Sequence, residues 1–354
     1  MKKRRYLAPL SWLYGSVVGL RNKLFDWRIL PSESFALPVI AVGNLTVGGT
    51  GKTPFTEHLI RLLKEEYHVA FLSRGYKRAT RGYVLADSES TAHTLGDEPF
   101  QVWRKYPDIH VAVDANRRRG IHRLCSDVVT ADTNVVLLDD AFQHRYVAPG
   151  LNLLLMDYHR MPYEDALLPY GLLREPFSSK ERADAVVVTK CPSNLRPIDY
   201  RIIQGRLSLR PYQRLFYTTI RYGALYPSGR RLNTLTADTA VLLITGIANP
   251  APLIAELRRR TPNVRVLSFP DHHAFTSAEI QHIQQEWDAV QAADRLLITT
   301  EKDAARLGTS LPELSVLPIE VAFLKDQEKT FNHYIKNYVR KNSRNGSVHS
   351  RTHA

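Results

Sequence analysis

The chain has 354 residues, enough for one large domain or two modest ones, and its 44% hydrophobic and 23% charged composition is that of an ordinary globular protein. Only Cys125 and Cys191 are present, which excludes a disulfide framework and suits a reducing compartment. Lys and Arg outnumber Asp and Glu by 48 to 35, a net charge of +13, which directs attention to anionic partners: nucleic acid, lipid headgroups or phosphorylated substrates.

Lys2, Lys3, Arg4 and Arg5 open the chain and lead into LAPLSWLYGSVVGL at 7–20, apolar and punctuated by Trp12 and Tyr14. The run is shorter than the roughly 20 apolar residues that a membrane-crossing helix needs. Arg21, Asn22 and Lys23 follow it where a secretory signal would carry a small-residue cleavage site. The pattern predicts, within residues 1–30, a helix lying in an anionic membrane surface, with aromatic anchors and flanking cations. No other segment approaches membrane-spanning length.

From residue 38 the texture becomes strand, glycine-rich turn, helix. Short apolar runs at 39–42, 69–72, 109–113, 135–138, 151–156 and 185–189 alternate with helical or polar stretches, the first helix running over 53–66. Such runs predict an α/β core of residues 31–212, a P-loop NTPase-like, mostly parallel sheet with helices on both faces. FYTTIRYGALY and the turn-like Pro227-Ser228-Gly229 predict a β-hairpin linker over 213–235. Strands at 241–244 and 296–299 and helices at 251–259 and 277–287 predict a smaller α/β domain over 236–332, followed by a basic tail at 333–354.

The strongest local signal is AVGNLTVGGTGKTPFTEHL. Glycines let the backbone curl so that successive N–H groups of Thr46, Val47, Gly48, Gly49, Thr50, Gly51, Lys52 and Thr53 can cradle phosphate oxygens. Lys52 is placed to reach the β- and γ-phosphates, and the Thr53 hydroxyl to ligate magnesium. The helix that follows directs its positive end at the same anion. Thr46 departs from the common pattern, which has glycine there, and Gly48 and Gly49 compensate. VVLLDD at 135–140 is a buried strand ending in Asp139 and Asp140, where a carboxylate commonly reaches the same metal; Asp139 is the preferred partner.

In order along the chain, VGNLTVGGTGKTP, LSRGYKR, LGDEP, LDDAFQHR, LPYGLLREP, TGIANP, FPDHHAFT and TTEKDAARL resemble the tetraacyldisaccharide 4′-kinase family, which phosphorylates the lipid A precursor of Gram-negative bacteria. The strings run from residue 42 to 307, with Ala141 standing where the family more often has glycine. The resemblance implies transfer of the γ-phosphate of ATP to the 4′-hydroxyl of a tetraacylated glucosamine disaccharide 1-phosphate, on the cytoplasmic face of the inner membrane, with ATP and Mg2+ as cofactors. The residues themselves leave adenine and guanine open.

The resemblance further implies that Asp97, in GDEP, is the base and His272, in FPDHH, its supporting partner, with His273 a rival. It also assigns Glu175 to magnesium alongside Thr53, Asp139 and Asp140. Arg74, Lys77, Gln143, His144 and Arg174 are candidates for phosphate and substrate contacts, because arginine forks match phosphate oxygens. Asn116, Arg117, Arg118 and Arg119 are a further candidate for phosphate contacts, with a solvated helix face the preferred reading, and TTEKDA reads either as a base-reading loop or as a helix capped by Asp303. A P-loop GTPase or metal-insertion chaperone would share the loop and the acid strand, but its metal clusters have no counterpart in two isolated cysteines. Helix-turn-helix, zinc and RNA-binding signatures are missing, so no specific nucleic acid and no obligate protein partner are expected.

Overall fold

The computed structural model describes residues 5–227, 230–271, 273–308 and 310–343. The opening basic cluster up to Arg4, the Ser228-Gly229 turn, His272 and the chain beyond 343 lie outside the described residues. In chain order the elements are α1 (Ala8–Asp26), β1 (Val39–Asn44), α2 (Lys52–Leu63), β2 (Val69–Ser73), β3 (Val84–Leu85), α3 (Ala92–Leu95), α4 (Asp97–Lys105), β4 (His110–Val113), α5 (Arg117–Ser126), β5 (Val135–Leu138), β6 (Leu151–Asp157), β7 (Ala185–Thr189), α6 (Pro197–Leu207) and β8 (Arg214–Tyr222). They continue with β9 (Ala240–Thr245), α7 (Ala251–Arg260), β10 (Val264–Ser268), α8 (Ser277–Asp288), β11 (Arg295–Thr300), α9 (Glu301–Leu307), β12 (Leu314–Leu317), β13 (Ile319–Phe323) and α10 (Gln327–Asn342).

Among the described residues the larger sheet has nine strands in the order β13-β8-β7-β6-β1-β5-β2-β4-β3, parallel except at its two edges. Its central strands are buried on both faces, which is why they read as unbroken apolar runs. Alternate side chains serve opposite layers. Ile40, Val42, Val135 and Leu137 face α2 and α10, meeting Phe55, Leu59, Phe331 and Ile335. Val39, Ala41, Val136 and Leu138 face α5, meeting Ile121 and Leu124. The α/β, mostly parallel architecture expected from the sequence is the one observed, and the glycine loop connects the central strand β1 to α2.

The second sheet, β10-β9-β11-β12, is wholly parallel and has its own core around Leu243, Ile298, Leu257 and Trp287. It is threaded between two strands of the larger sheet. β8 pairs parallel with β7, and β13 returns to pair antiparallel with β8. Among the described residues the hairpin expected over 213–235 is therefore not formed: 214–222 is one strand of the core, and beyond it Ala224 bridges antiparallel to Arg231 and Tyr226 to Val316. Burial of Phe216 and Tyr217 between the layers of the larger sheet decides this. The expected basic tail from 333 is likewise helical up to residue 342. Phe331, Ile335 and Val339, spaced four apart, bury one stripe of α10 in the core, while Lys336, Arg340 and Lys341 occupy the remainder of its surface.

α1 packs in the opposite sense to an ordinary surface helix. Apart from Phe25, which packs on Tyr146, its protein side is mostly polar: Ser11 Oγ donates to Leu167 O at 2.7 Å, Tyr14 Oη to Arg174 O at 2.9 Å and Arg21 Nη2 to Gln143 O at 2.9 Å. Its outer side shows Leu10, Trp12, Leu13, Val17 and Leu20 to solvent, with Trp12 80% exposed. No helix among the described residues is long and apolar enough to cross a membrane.

Candidate active site

The glycine loop sits at the carboxyl end of β1, in the crevice where the strand order of a doubly wound sheet favours ligands. Gly48 at φ +109° and Gly51 at φ +82° adopt left-handed backbone that a side chain would resist, and Gly51 sits immediately before α2. The loop is held through its carbonyls. Thr189 Oγ1 donates to Thr50 O at 2.8 Å, Lys190 Nζ donates to Gly49 O, and Arg160 Nη1 to Val47 O at 3.4 Å. Asn44 Nδ2 also donates to the Thr50 hydroxyl at 3.0 Å. Thr46 is buried and bridges antiparallel to Leu173, so it supports the loop from beneath, while Val47, Gly48, Gly49, Thr50, Gly51, Lys52 and Thr53 line the open space above.

That space is a cavity of about 2200 Å3 between the larger sheet and the second unit. Asp139 and Asp140 enter it at the end of β5 and behave differently. Lys52 Nζ lies 3.4 Å from Asp140, and Arg174 Nη1 donates to the same carboxylate at 2.9 Å. Burial acts to raise its pKa, but these two cations prevail and hold Asp140 below the usual carboxylate range. Asp139 is buried, accepts from Ser73 Oγ at 3.3 Å through Oδ2, and its Oδ1 has no hydrogen-bond partner among the described residues. Burial, with Glu98 and Asp140 adding negative charge, pushes Asp139 up to about 7. A buried carboxylate with an unpartnered oxygen, lining the same cavity as Thr53, fits a hard divalent cation.

Glu175 is buried too, with Oε2 paired to protein and Oε1, like Oδ1 of Asp139, without a hydrogen-bond partner among the described residues. Arg182 Nη2 donates to it at 2.5 Å and Arg21 Nη1 lies 4.0 Å away, so it ties α1 to the floor of the cavity. Asp139, Asp140 and Glu175 do not converge into a cage: among the described residues no group of three or more His, Cys, Asp or Glu side chains is placed to hold a metal alone.

Arg74, Lys77, Gln143, His144 and Arg174 all line the cavity. Gln143 Nε2 donates to Asn44 O at 2.8 Å, which fixes it beside the loop. Burial, reinforced by Arg117, Arg21 and Arg74, holds His144 down at about 4, so its imidazole is neutral near pH 7. Asp97 opens α4 directly after Gly96, whose φ of +93° and close approach to Tyr76 O and Gly75 leave no place for a side chain. Arg306 of α9 donates to Asp97 Oδ2 at 3.2 and 2.7 Å, which fixes the carboxylate at the cavity wall. His273 also lines the cavity, stacks on Phe269 at 5.2 Å and bonds Glu279 at 2.9 Å.

Several contributors escape a reading of the sequence. Thr189 and Lys190 end an apolar strand, and only the sheet order brings that strand end to the loop. Arg117 is not on a solvated face: it is buried, donating to Asp114 O at 3.0 Å and Asp139 O at 2.9 Å, and so braces the acid strand. TTEKDA begins a helix, but its cap is Thr300 rather than the expected Asp303. Thr300 Oγ1 accepts from Asp303 N at 3.2 Å, and buried Asp303 accepts from Gly246 N at 2.9 Å.

Strand, glycine loop, lysine and buried acids over a parallel sheet define a P-loop phosphotransferase site. A family model described as tetraacyldisaccharide-1-P 4′-kinase matches residues 3–340, and the chain belongs to that family. The tetraacyldisaccharide 4′-kinase of Phocaeicola vulgatus is 50% identical, with 98% of each chain covered. That of Flavobacterium johnsoniae is 46% identical, covering 96% of this chain and 98% of its own. The crystal structure of LpxK from Aquifex aeolicus in complex with ATP matches with a TM-score of 0.76 at 27% identity, covering 95% of this chain and 99% of that one. Kinase rather than GTPase or metal-insertion chaperone is the alternative these relatives favour.

Proposed function

We propose that the protein is an ATP-dependent kinase transferring the γ-phosphate to the 4′-hydroxyl of a tetraacylated glucosamine disaccharide 1-phosphate, at the cytoplasmic face of the inner membrane. The observation that carries this reading is the joining of two features at one place. The phosphate-loop cavity is walled by Tyr14, Val18 and Arg21 of α1, and the far side of that same helix is an exposed apolar face. A headgroup can enter the cavity, which Arg21, Lys52, Arg74 and Arg174 line, while its acyl chains stay with the membrane that receives Leu10, Trp12, Leu13, Val17 and Leu20.

In this reading the loop amides and Lys52 cradle the β- and γ-phosphates, and Arg74, Lys77 and Arg174 supply charge for substrate phosphates. Thr53 and Asp139 would hold Mg2+, with Asp140 setting the position of Lys52 and Glu175 securing the α1 side of the cavity. When bound, the cation neutralises charge on the phosphates. Asp97 accepts the proton of the sugar hydroxyl as its oxygen bonds to phosphorus and the bond to the departing ADP oxygen breaks. Gln143 and neutral His144 offer hydrogen bonds to the sugar.

The discriminating experiment measures ADP release with and without the tetraacylated acceptor in detergent micelles containing magnesium. Turnover that depends on the acceptor, with phosphate appearing on the lipid, supports the kinase. Nucleotide hydrolysis indifferent to the acceptor would return the GTPase or chaperone reading.

The membrane role of α1 makes a separate prediction. Deleting the helix would also remove Tyr14 and Arg21 from the cavity, so surface substitutions are the cleaner test. Each exposed apolar side chain buried in lipid contributes about 1.5–3 kcal/mol. Trp12→Glu with Leu13→Glu is therefore expected to weaken flotation with anionic vesicles by about two to four orders of magnitude. Unchanged flotation would refute the interfacial placement.

A further inference from the structure

α9 carries the TTEKDAARL signal, yet none of its residues is used by the transfer step described above. Three of its charged side chains, Glu301, Lys302 and Arg306, are directed at α4, the helix that begins with Asp97. The two run so that Arg306 meets Asp97, Lys302 lies 3.4 Å from Glu98, and Glu301 meets Lys105. The last of these contacts is the most heavily built.

Lys105 Nζ donates to Glu301 Oε1 at 2.5 Å and to Glu57 Oε2 at 2.5 Å. Glu57 belongs to α2, the helix whose first residues are Lys52 and Thr53, and its side chain is only 1% exposed. It also accepts from Gln101 Nε2 of α4 at 3.0 Å and from Tyr106 Oη at 3.3 Å. Glu301, 6% exposed, accepts from Tyr226 Oη at 3.1 Å. Burial works against the charge of Lys105, but Glu57 and Glu301 raise its pKa above the usual lysine range. Two buried acids around one lysine are a weak source of stability, because desolvation offsets most of the attraction. What the group does provide is geometry: one ammonium joins the phosphate-loop helix, the Asp97 helix and the second unit.

We propose that Lys105 is a positioning residue for phosphoryl transfer, fixing α4 between Glu57 and Glu301 so that Asp97 is held at a set distance from Lys52 and Thr53. The inference rests on the kinase reading and on Asp97 as its base. A base displaced by about 1 Å can cost about 100-fold in rate, whereas the loop that binds ATP is built from other contacts. The expected signature is therefore loss of kcat without loss of nucleotide affinity.

The test compares wild type, Lys105→Met and Lys105→Arg by steady-state transfer to the tetraacylated acceptor, with thermal unfolding recorded for each. Lys105→Met is expected to lower kcat at least about tenfold with KM for ATP within about threefold, and Lys105→Arg, which can still bridge both acids, to recover most of that loss. A folded Lys105→Met with kcat within about twofold of wild type would overturn the proposal, as would a loss confined to KM. Should Lys105→Met fail to fold, Glu301→Gln keeps the shape, leaves an amide oxygen for Tyr226 Oη, and removes the charge that holds Lys105 to the second unit. Its kcat should fall about threefold or more, and an unchanged kcat there overturns the proposal equally. Wild-type transfer onto the lipid separates the two levels: if wild type itself leaves the lipid unlabelled, the kinase reading has failed rather than the bridge.

Discussion

Replacing Lys52 with alanine is expected to lower phosphoryl transfer by at least about 100-fold while leaving the protein folded. Lys52 is the first residue of α2, largely shielded from solvent, and aimed into the cavity beside Asp140. The ammonium balances charge that builds on phosphate oxygens during transfer, and its replacement by a methyl group leaves nothing in its place. The fold tolerates the loss because Asp140 keeps Arg174, which donates to both of its oxygens at 3.1 and 2.9 Å. Steady-state transfer together with a thermal melt checks both halves of the prediction. A folded variant of near-normal activity would remove the phosphate loop from the reaction.

Asp97→Asn should separate binding from chemistry. Asparagine has the shape of aspartate and can still accept from Arg306, so α4 should begin as before. It cannot take up the proton of a hydroxyl. General-base loss of this kind typically costs about 100- to 10,000-fold in turnover, and the KM for ATP should stay within about threefold. Single-turnover kinetics with a parallel ATP titration make the comparison. Collapse of ATP affinity would place Asp97 in the nucleotide site, and unchanged turnover would deny it any part in proton transfer.

Most of the larger sheet is legible in the sequence because its central strands are buried on both faces and bounded by turns. VVLL at 135–138 and AVVVT at 185–189 have no competing interpretation. The edges are less legible. β3 is two residues long, and Pro318 divides what looks like one apolar run, LSVLPIEVAF, into β12 of one sheet and β13 of the other. Nothing local states that β8 pairs with a strand beyond the second unit, so its aromatic run was expected to turn back on itself.

The same division holds in the site. Lys52, Thr53 and Asp139 announce themselves because strand, loop and acid follow one another in a recognisable order. Glu57 does not. A glutamate within an amphipathic helix reads as a solvent-facing residue, and its burial depends on Lys105 and Gln101 from α4, which two strands and a short helix separate from α2. Arg117 was hidden for a related reason: three consecutive arginines read as a charged surface until one of them is found braced against the acid strand.

The most direct measurement of the central claim is transfer of label from γ-labelled ATP to a tetraacylated glucosamine disaccharide 1-phosphate, in detergent micelles with magnesium. The account predicts label on the lipid at the 4′-oxygen, abolished in Lys52→Ala. Label appearing only as free phosphate, at a rate indifferent to the lipid, would contradict it.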